Sequence, residues 1–546
     1  MKPDFNKILI RLLSTKLASI VVIIISIAGK VIQKFFFAGL DDDKCYQIQA
    51  TKNMLDGNSI STYEVFANNL SNPVYTSLIK WPPGYSIILS PFYLANGNNY
   101  LWGSLWLDLV AAALFVLLAR KIVIQLLEPI WLVNLYTLIT GFFFYDFISS
   151  NSTDLITLVF FQIAFVLTLK FLRSPDKKIT QTILISLFLF CCALLRYMYI
   201  PLAIIIPAYF IFSGISSSNK ILYRRGILSL ALIIFLISSF LIFQKFFAGA
   251  PAYLYPTVRG FFPENLTRIT PFLFSTVGNL AVPATIFHQV SGIEYNHIAT
   301  VVIYVHLLLL ILLLSVCFYW VKIKRFSTSN LKEHFVNITL LSCLTVLGTL
   351  SYLSVTYSSI PLLNGISWTY VSEGRYYATP IFLLQIGLIL FLFKKIFLRK
   401  GYKNLKIFAL AILVSSTLHG FYFTVKKTFE GSRNFQKKHT VSTLDSCRLL
   451  FNQFVNKNQG KNIVCASGDP MFNNFASIWE NIPGLYDINK LNTMELYTKK
   501  ETVLFVPVKS WYSGKLLGFL NNSDKEYIGR VNDWTFYTIN VKANIK

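Results

Sequence analysis

Long runs of apolar residues, separated by short polar connections, fill the first 425 residues of the chain. A helix needs about 20 apolar residues to cross a hydrocarbon core of roughly 30 Å. The runs predict about eleven membrane-spanning helices, near 16–37, 101–119, 130–148, 153–171, 180–197, 200–214, 227–246, 299–321, 335–357, 376–393 and 406–424. We therefore expect residues 1–425 to form an all-α, multi-pass membrane bundle.

The last 120 residues have a different pattern. Residues 426–546 lose the long apolar runs and show short segments of buried-strand character, N-I-V-C-A-S, T-V-L-F-V-P-V and W-T-F-Y-T-I-N-V, together with a helical pattern over 443–456. Short apolar runs bounded by polar residues are typical of strands in a soluble core. We expect a small α/β domain in this tail.

The positive charges orient the predicted helices. The chain carries a net charge of +25, is 54% hydrophobic and contains only 14% charged residues. Its lysines and arginines gather in alternate connections, near 120–121, 170–178, 220–225, 322–332 and 394–406. This alternation is the positive-inside pattern, so the N-terminus is predicted inside and the C-terminus outside. The charge is explained by topology, and no nucleic-acid partner is expected.

A large first loop, residues 38–100, lies on the outside in this topology. It contains an amphipathic stretch over 46–55, a D-G-N turn and the segment K-W-P-P-G-Y-S-I-I-L-S-P-F-Y-L. That segment is apolar but too short to cross the membrane, so we expect it to lie in the interface.

Acidic and basic residues also collect on the outer side, where they have no role in setting topology. The residues that share this side are Asp41, Asp42, Asp43, Asp146, Asp154, Arg196 and Arg375. The three consecutive acids could simply end the first helix at the interface. Arginine can bind a phosphate group through two parallel hydrogen bonds, and a carboxylate can accept a proton from a hydroxyl group. The two residue types together suit glycosyl transfer from a polyprenyl-phosphate sugar.

Several motifs carry a family resemblance. In order they are D-D-x-x-x-Y after the first span, M-L-D-G, W-P-P-G-Y, T-D-L-I, L-L-R-Y and G-R-Y-Y-A-T-P. This order resembles the GT-C superfamily of membrane glycosyltransferases over roughly residues 16–393. The likeness is to the bacterial branch that includes the aminoarabinose transferases of lipid A, which are related to protein O-mannosyltransferases. It implies a GT-C-like bundle and a polyprenyl-phosphate sugar donor.

The resemblance also implies roles for particular residues. In that family the catalytic base is the aspartate that begins the motif D-x-x-x-Y. The spacing to Tyr46 implies that this residue is Asp42, and Asp43 then occupies the family's second acidic position. Because Asp41 is an additional acid next to Asp42, the alignment with the family motif could be shifted by one residue. The positions expected to contact substrate are Arg375, Tyr376, Arg196, Tyr46, Asp154, Asp146 and Lys34. Arg375 is favoured for the phosphate, whereas Arg196 could instead tie helices together.

Two of these assignments have structural alternatives. Asp154 follows Ser152 and Thr153, so it could cap its helix. Lys30 and Lys34 lie one turn apart on the first span; they could extend to the interface, or Lys34 could contact phosphate.

No cofactor is predicted. His288, Glu294 and His297 are widely spaced and interpreted as loop residues, although a divalent cation remains an alternative. The chain has no phosphate-binding G-x-x-x-x-G-K-S/T motif and no G-x-G-x-x-G motif. Cys447 and Cys465, both in the tail, could form a disulfide.

The sequence thus predicts an inverting glycosyltransferase of a bacterial inner membrane, with its site facing outward. Its partners would be a polyprenyl-phosphate sugar, membrane lipid and a glycan, lipid or protein acceptor. Two alternatives are a transporter or flippase of a lipid-linked or anionic substrate, for which Asp108 in the second span is the main support, and a polymerase or ligase of surface glycans.

Overall fold

The structure of the chain is a computed structural model. It describes residues 11–37, 42–78, 81–143, 152–248, 330–356, 378–393, 414–429, 440–485, 496–509 and 520–543, apart from isolated positions within them.

Helices make up most of the described residues. In chain order they are α1 (Lys16–Phe37), α2 (Asp42–Leu55), α3 (Gly84–Ala95), α4 (Tyr100–Leu126), α5 (Ile130–Phe142), α6 (Ser152–Arg173), α7 (Ile179–Leu195), α8 (Tyr199–Ser216), α9 (Lys220–Ala248), α10 (Leu331–Thr356), α11 (Ala378–Phe393), α12 (Thr440–Lys457) and α13 (Pro470–Glu480). The strands are β1 (Ser61–Phe66), β2 (Asn69–Ser77), β3 (Asn462–Cys465), β4 (Gly484–Leu485), β5 (Thr502–Lys509), β6 (Lys525–Val531) and β7 (Trp534–Val541).

The chain divides into two compact units. The membrane unit comprises Met1–Phe37 and Asp108–Lys426, and the sheet unit comprises Ala38–Leu107 and Lys427–Lys546. The first loop, which the sequence analysis assigned to the membrane domain, is grouped with the C-terminal tail because both contribute strands to one sheet.

Apolar helices form the membrane unit. Among the described residues, four helical stretches are long and apolar enough to cross a membrane: Lys16–Phe36, Thr153–Arg173, Tyr199–Ser216 and Lys220–Phe246. Helix α9 exposes large apolar side chains, including Phe235 and Phe246, as expected of a surface in contact with lipid. The predicted span 299–321 lies outside the described residues, as does most of 406–424.

Close helix packing in the membrane unit depends on glycine. Helices α1 and α5 approach so closely that a Cβ atom on Gly141 would lie 2.5 Å from the Cα atom of Ser26. Small residues allow this approach, which is a common way for helices to associate in lipid.

The sheet unit is built on seven strands in the order β2-β1-β4-β3-β5-β7-β6. Strands β1, β4, β3 and β5 are parallel, while β2, β7 and β6 join by antiparallel pairing. Phe472 of α13 and Phe451 of α12 pack against Phe505 on one face, which places these helices there. The opposite face buries aliphatic residues such as Val65, Val464 and Leu504.

The predicted tail elements occur where the pattern indicated. The strands N-I-V-C and T-V-L-F-V-P-V are β3 and most of β5, the last predicted strand is β7, and the predicted helix is the central part of α12. The apolar segment of the first loop forms the 12-residue helix α3.

Candidate functional site

Two family motifs meet in the sheet unit. Helix α2 begins at Asp42, and the Tyr46 ring one turn later stacks on the Trp81 ring with their centroids 4.7 Å apart. The Ser86 hydroxyl of α3 donates to the Gln47 carbonyl at 2.9 Å, which ties α3 to α2. The D-x-x-x-Y and W-P-P-G-Y motifs, 35 residues apart from Tyr46 to Trp81, thus form one local arrangement.

The acidic cluster lies at the start of this arrangement. Asp42 is the first residue of α2, and Asp43 follows with its side chain partly buried. The unsatisfied amide groups of a helix N-terminus favour negative charge, so acids are electrostatically suited to this position. Asp41 lies outside the described residues.

Trp81 is a residue that the sequence analysis did not single out. In the W-P-P-G-Y motif the two prolines that follow it, Pro82 and Pro83, fix two φ angles and shape the turn before α3. The signal that could have identified Trp81 is a large aromatic residue directly before a rigid turn, in the same loop as the tyrosine of D-x-x-x-Y.

Asp154 and Arg196 form a bidentate ion pair in the membrane unit. Arg196 Nη2 donates to Asp154 Oδ2 at 2.7 Å, and Arg196 Nε contacts Asp154 Oδ1. The Asp154 side chain is 1% exposed and the Arg196 side chain is 11% exposed. A buried carboxylate needs such a partner, because an unpaired charge there would be costly.

Local structure brings these two side chains together. Asp154 lies in the first turn of α6, and Arg196 follows the last residue of α7 with an extended backbone, at φ −152° and ψ 123°. Helices α6 and α7 are consecutive in the chain and pack against each other. The N-terminus of α6 therefore lies beside the C-terminus of α7. The pair agrees with the alternative in which Arg196 ties helices together.

A small pocket adjoins this ion pair. Its lining consists of Asp154, Arg196, Met198, Tyr199, Leu202, Val346, Thr349 and Thr379. The Thr379 hydroxyl donates to the Tyr199 hydroxyl at 3.1 Å. The cavity has a volume of about 10 Å³, space for about one water molecule, and its walls combine a charged pair, hydroxyl groups and apolar side chains.

Tyr199 and Thr379 were also missed from sequence. Thr379 belongs to the motif G-R-Y-Y-A-T-P, and Tyr199 lies two residues after the motif L-L-R-Y. Thr379 follows Arg375 by four positions and lies in the first turn of α11. The motif positions themselves could have pointed to these two hydroxyls.

Lys34 is buried in the membrane unit. Its Nζ atom lies 3.6 Å from Asp108 Oδ2, and both side chains are 0% exposed. Lys30 is also fully buried and donates to the Gln33 side chain at 2.7 Å and to the Phe143 carbonyl at 2.5 Å. The expectation that these lysines extend to the interface is therefore wrong: protein groups surround both amines. Asp108, which supported the transporter alternative, has Lys34 as its partner.

Other predicted residues lie outside the part of the chain that the structure describes. They are Asp146, Arg375 and Tyr376, together with His288, Glu294 and His297 of the metal alternative. Within the described ranges, no three His, Cys, Asp or Glu side chains are grouped so that they could hold a metal ion. Cys447 and Cys465 are both buried and free, so the structure does not contain the disulfide considered from sequence.

Comparison with known proteins gives matches among solved structures. No protein-family model matches the chain, and no curated protein matches it significantly. The apo structure of ArnT from Cupriavidus metallidurans matches over 95% of this chain and 98% of its own, with 11% identity and a TM-score of 0.43.

Further matches include the same ArnT and an archaeal enzyme. ArnT bound to undecaprenyl phosphate matches over 96% of this chain and 98% of its own, at 11% identity and a TM-score of 0.41. Oligosaccharyltransferase AglB from Archaeoglobus fulgidus, in complex with an inhibitory peptide and a dolichol-phosphate, matches over 95% of this chain and 74% of its own, at 10% identity and a TM-score of 0.46. The chain is similar to these solved structures over most of its length.

Proposed function

We propose that the chain is a membrane glycosyltransferase that moves a sugar from a polyprenyl-phosphate carrier to a hydroxyl-bearing acceptor outside the cytoplasm. The acceptor would be a glycan, a lipid or a protein. The observation that carries the proposal is the ion pair of Asp154 and Arg196 beside the hydroxyls of Tyr199 and Thr379, which brings together residues from three of the family-type motifs that the sequence contains. A second arrangement, in the sheet unit, contains Asp42 at the start of α2 and the stacked Tyr46 and Trp81.

The reaction would proceed by a single displacement. The Asp42 carboxylate accepts the proton of the acceptor hydroxyl while that oxygen attacks the anomeric carbon of the sugar. The bond between the anomeric carbon and the phosphate oxygen breaks, and its electron pair leaves with the polyprenyl phosphate. Attack from the face opposite the leaving group inverts the anomeric centre.

Charge on the leaving group has to be stabilised as this bond breaks. Arg375 would hold the departing phosphate, since a guanidinium group can donate two parallel hydrogen bonds to it. Asp154 would keep Arg196 in place beside the hydroxyls of Tyr199 and Thr379. The sheet unit would help to orient the acceptor.

The direct test is Asp42→Asn, which keeps the size of the side chain but removes its basicity. Loss of a general base typically reduces a rate by about 10²–10⁴-fold, and we expect a decrease of this size in sugar transfer from a polyprenyl-phosphate donor in membranes. Asp56→Asn is the matched control, because Asp56 directly follows the other end of α2 and its side chain is 45% exposed. Transfer at the parent rate by a normally inserted Asp42→Asn protein would show that the base is wrongly assigned.

A further inference from the structure

A buried arginine in the membrane unit has only uncharged partners. Arg120 lies in the last two turns of α4 and is 7% exposed. Its Nη1 atom donates to the Asn134 side chain at 2.7 Å and to the Thr137 hydroxyl at 2.9 Å, which joins α4 to α5. Within the described ranges, no carboxylate pairs with this guanidinium group. The described residues therefore leave its positive charge without a counter-charge.

Only one nitrogen of the Arg120 guanidinium group makes these contacts. The group has five N–H donors, and Nη1 provides both of the bonds. Nε and Nη2 have no acceptor in the part of the chain that the structure describes. These two nitrogens form an edge that can donate two parallel hydrogen bonds to a carboxylate or a phosphate, and Arg196 uses the same edge for Asp154. Arg120 thus retains a bidentate anion-binding edge.

The contacts from Nη1 do not explain why the residue is charged. A neutral amide could donate to Asn134 and Thr137 as well, and a buried charge without a counter-charge is costly. Ionisable residues within membrane segments are rare, and they mark binding sites and ion pairs. An anion bound at Nε and Nη2 would supply the counter-charge that the described residues lack.

Apolar side chains flank Arg120 on the helix surface. Leu117 and Ile124 lie three residues before it and four residues after it, on the same side of α4, and are 39% and 48% exposed. Exposed apolar surface of this kind marks a contact with lipid or another apolar partner. The anion should therefore be part of an amphiphile whose apolar portion covers these residues.

The start of α1 lies beside the same contact. The Asn134 amide donates to the Leu13 carbonyl at 2.7 Å and to the Ser19 hydroxyl at 2.9 Å. Arg11 and Lys16, on either side of Leu13 in the chain, are both exposed. The beginning of α1 thus adds positive charge to this region.

The sequence around these residues is poor in acids. Residues 11–37 contain no Asp or Glu, and Glu128, exposed in the connection to α5, is the only acid between Asp108 and Asp146. Lys121, next to Arg120, is exposed. The positive-inside pattern assigns this end of α4 to the inner leaflet, where anionic lipids are attracted to basic residues.

We propose that Arg120 binds the phosphate group of an anionic phospholipid of the inner leaflet. Nε and Nη2 donate to the two unesterified phosphate oxygens, and the acyl chains lie along Leu117 and Ile124. Lys121 favours a headgroup with a net negative charge over a zwitterionic one. This lipid site is separate from the proposed transfer reaction and does not rest on it.

Lipid binding to the full-length protein tests the site. The protein in a nonionic detergent is titrated with phosphatidylglycerol or with phosphatidylcholine of the same chain length, and native mass spectrometry gives the dissociation constant of the first bound lipid. For the parent we expect phosphatidylglycerol to bind about 10- to 30-fold more tightly, the preference that about two basic residues provide when they act on the headgroup charge.

Three variants separate the guanidinium group from positive charge in general. Arg120→Gln removes both bonds to the phosphate and should abolish most of the preference for phosphatidylglycerol. Lys121→Gln is the matched control, because it removes the same charge from the adjacent, exposed residue; it should lower the preference by no more than about 5-fold. Arg120→Lys keeps the charge but not the planar edge, so it should give an intermediate preference, and it tests the site even if Arg120→Gln does not fold.

Several results would overturn the proposal. One is equal affinity of the parent for the two lipids, which needs no variant. Another is an equal loss of preference in Arg120→Gln and Lys121→Gln, because it would indicate a general attraction of anionic lipid to basic residues. Glycerol phosphate tests for a soluble source of the phosphate and should not displace the lipid. If it displaced phosphatidylglycerol from the parent at concentrations similar to those at which the lipid binds, the ligand would be a free phosphate ester and not a lipid.

Discussion

Arg196 and Asp154 are 42 positions apart in the chain and meet as a bidentate ion pair in the membrane unit. Removal of one partner from a buried pair typically costs about 3–5 kcal/mol, because the other charge stays buried without compensation. We expect Arg196→Ala to lower the free energy of unfolding by about 3 kcal/mol, measured by denaturant unfolding in detergent. Arg173→Ala is the control, since Arg173 is exposed at the end of α6. Equal stability of the two variants would show that the ion pair does not stabilise the folded protein.

The stack of Tyr46 on Trp81 gives a second prediction. An aromatic pair contributes about 0.5–1.5 kcal/mol beyond the area it buries, so Trp81→Leu should destabilise the contact between α2 and the turn before α3. We expect lower sugar transfer in Trp81→Leu and near-parental transfer in Trp81→Phe, which keeps a ring. Trp106→Leu, at a tryptophan that is 51% exposed, controls for the loss of a large side chain. The prediction fails if the leucine and phenylalanine variants at position 81 are equally active.

The close approach of α1 and α5 can be tested by the addition of a single methyl group. In Gly141→Ala the new methyl group would lie 2.5 Å from the Cα atom of Ser26, so the two helices would have to separate. Overpacking of this kind costs about 1–3 kcal/mol, and we expect a lower melting temperature in detergent. Gly348→Ala is the matched control because nothing lies within 4 Å of the added atom, and alanine is the better helix former by about 1 kcal/mol. A Gly141→Ala protein as stable as Gly348→Ala would contradict the packing.

The Cys447 thiol predicts how stability depends on pH. Burial raises the pKa of Cys447 to about 12, whereas an unfolded chain has a thiol pKa of about 8.5. Both states hold the proton below pH 8.5, so this contribution to stability is complete there and decreases as the pH rises toward 12. At pH 10 the thiol should have lowered the free energy of unfolding of the parent by about 2 kcal/mol, a decrease that Cys447→Ala does not show.

The measurement compares denaturant unfolding of the parent and Cys447→Ala at pH 7.5 and pH 10. Because other titrating groups are common to both proteins, the difference between the two pH values isolates the thiol. If the difference in free energy of unfolding between parent and variant were the same at both pH values, this contribution of the thiol would be ruled out.

Periodicity was sufficient for most local structure. The apolar runs predicted the positions of α1 and α6 to α8 within a few residues, whereas α4 continues to Leu126, seven residues past its predicted end, and the tail strands agree with β3, β5 and β7. The pattern reports which face of an element is buried but not which distant element covers it. That is why the sequence did not predict the pairing of β1 with β4, nor the grouping of the first loop with the tail.

The candidate site, too, could be predicted only in part from the sequence. Charge placement and motif order drew attention to Asp154 and Arg196, but their contact depends on how α6 and α7 pack. Lys34 was harder to interpret, because a lysine near the end of an apolar helix has the same sequence signature whether it reaches the interface or an internal aspartate. Only tertiary structure provides Asp108 as its partner.

The sheet has a consequence for how the protein is made. Its first strands are synthesised early, yet the Asn462 side chain that donates to the Leu70 carbonyl at 3.1 Å is 392 residues further along the chain. At about 5–20 residues per second, the ribosome needs roughly 20–80 s to reach it. During that interval β1 and β2 have no partner strand from the tail, so the β1 edge is open to incorrect pairing. Completion of the sheet is therefore a late, post-insertion step, and nascent chains stalled before β3 should be the most sensitive to protease in the first loop.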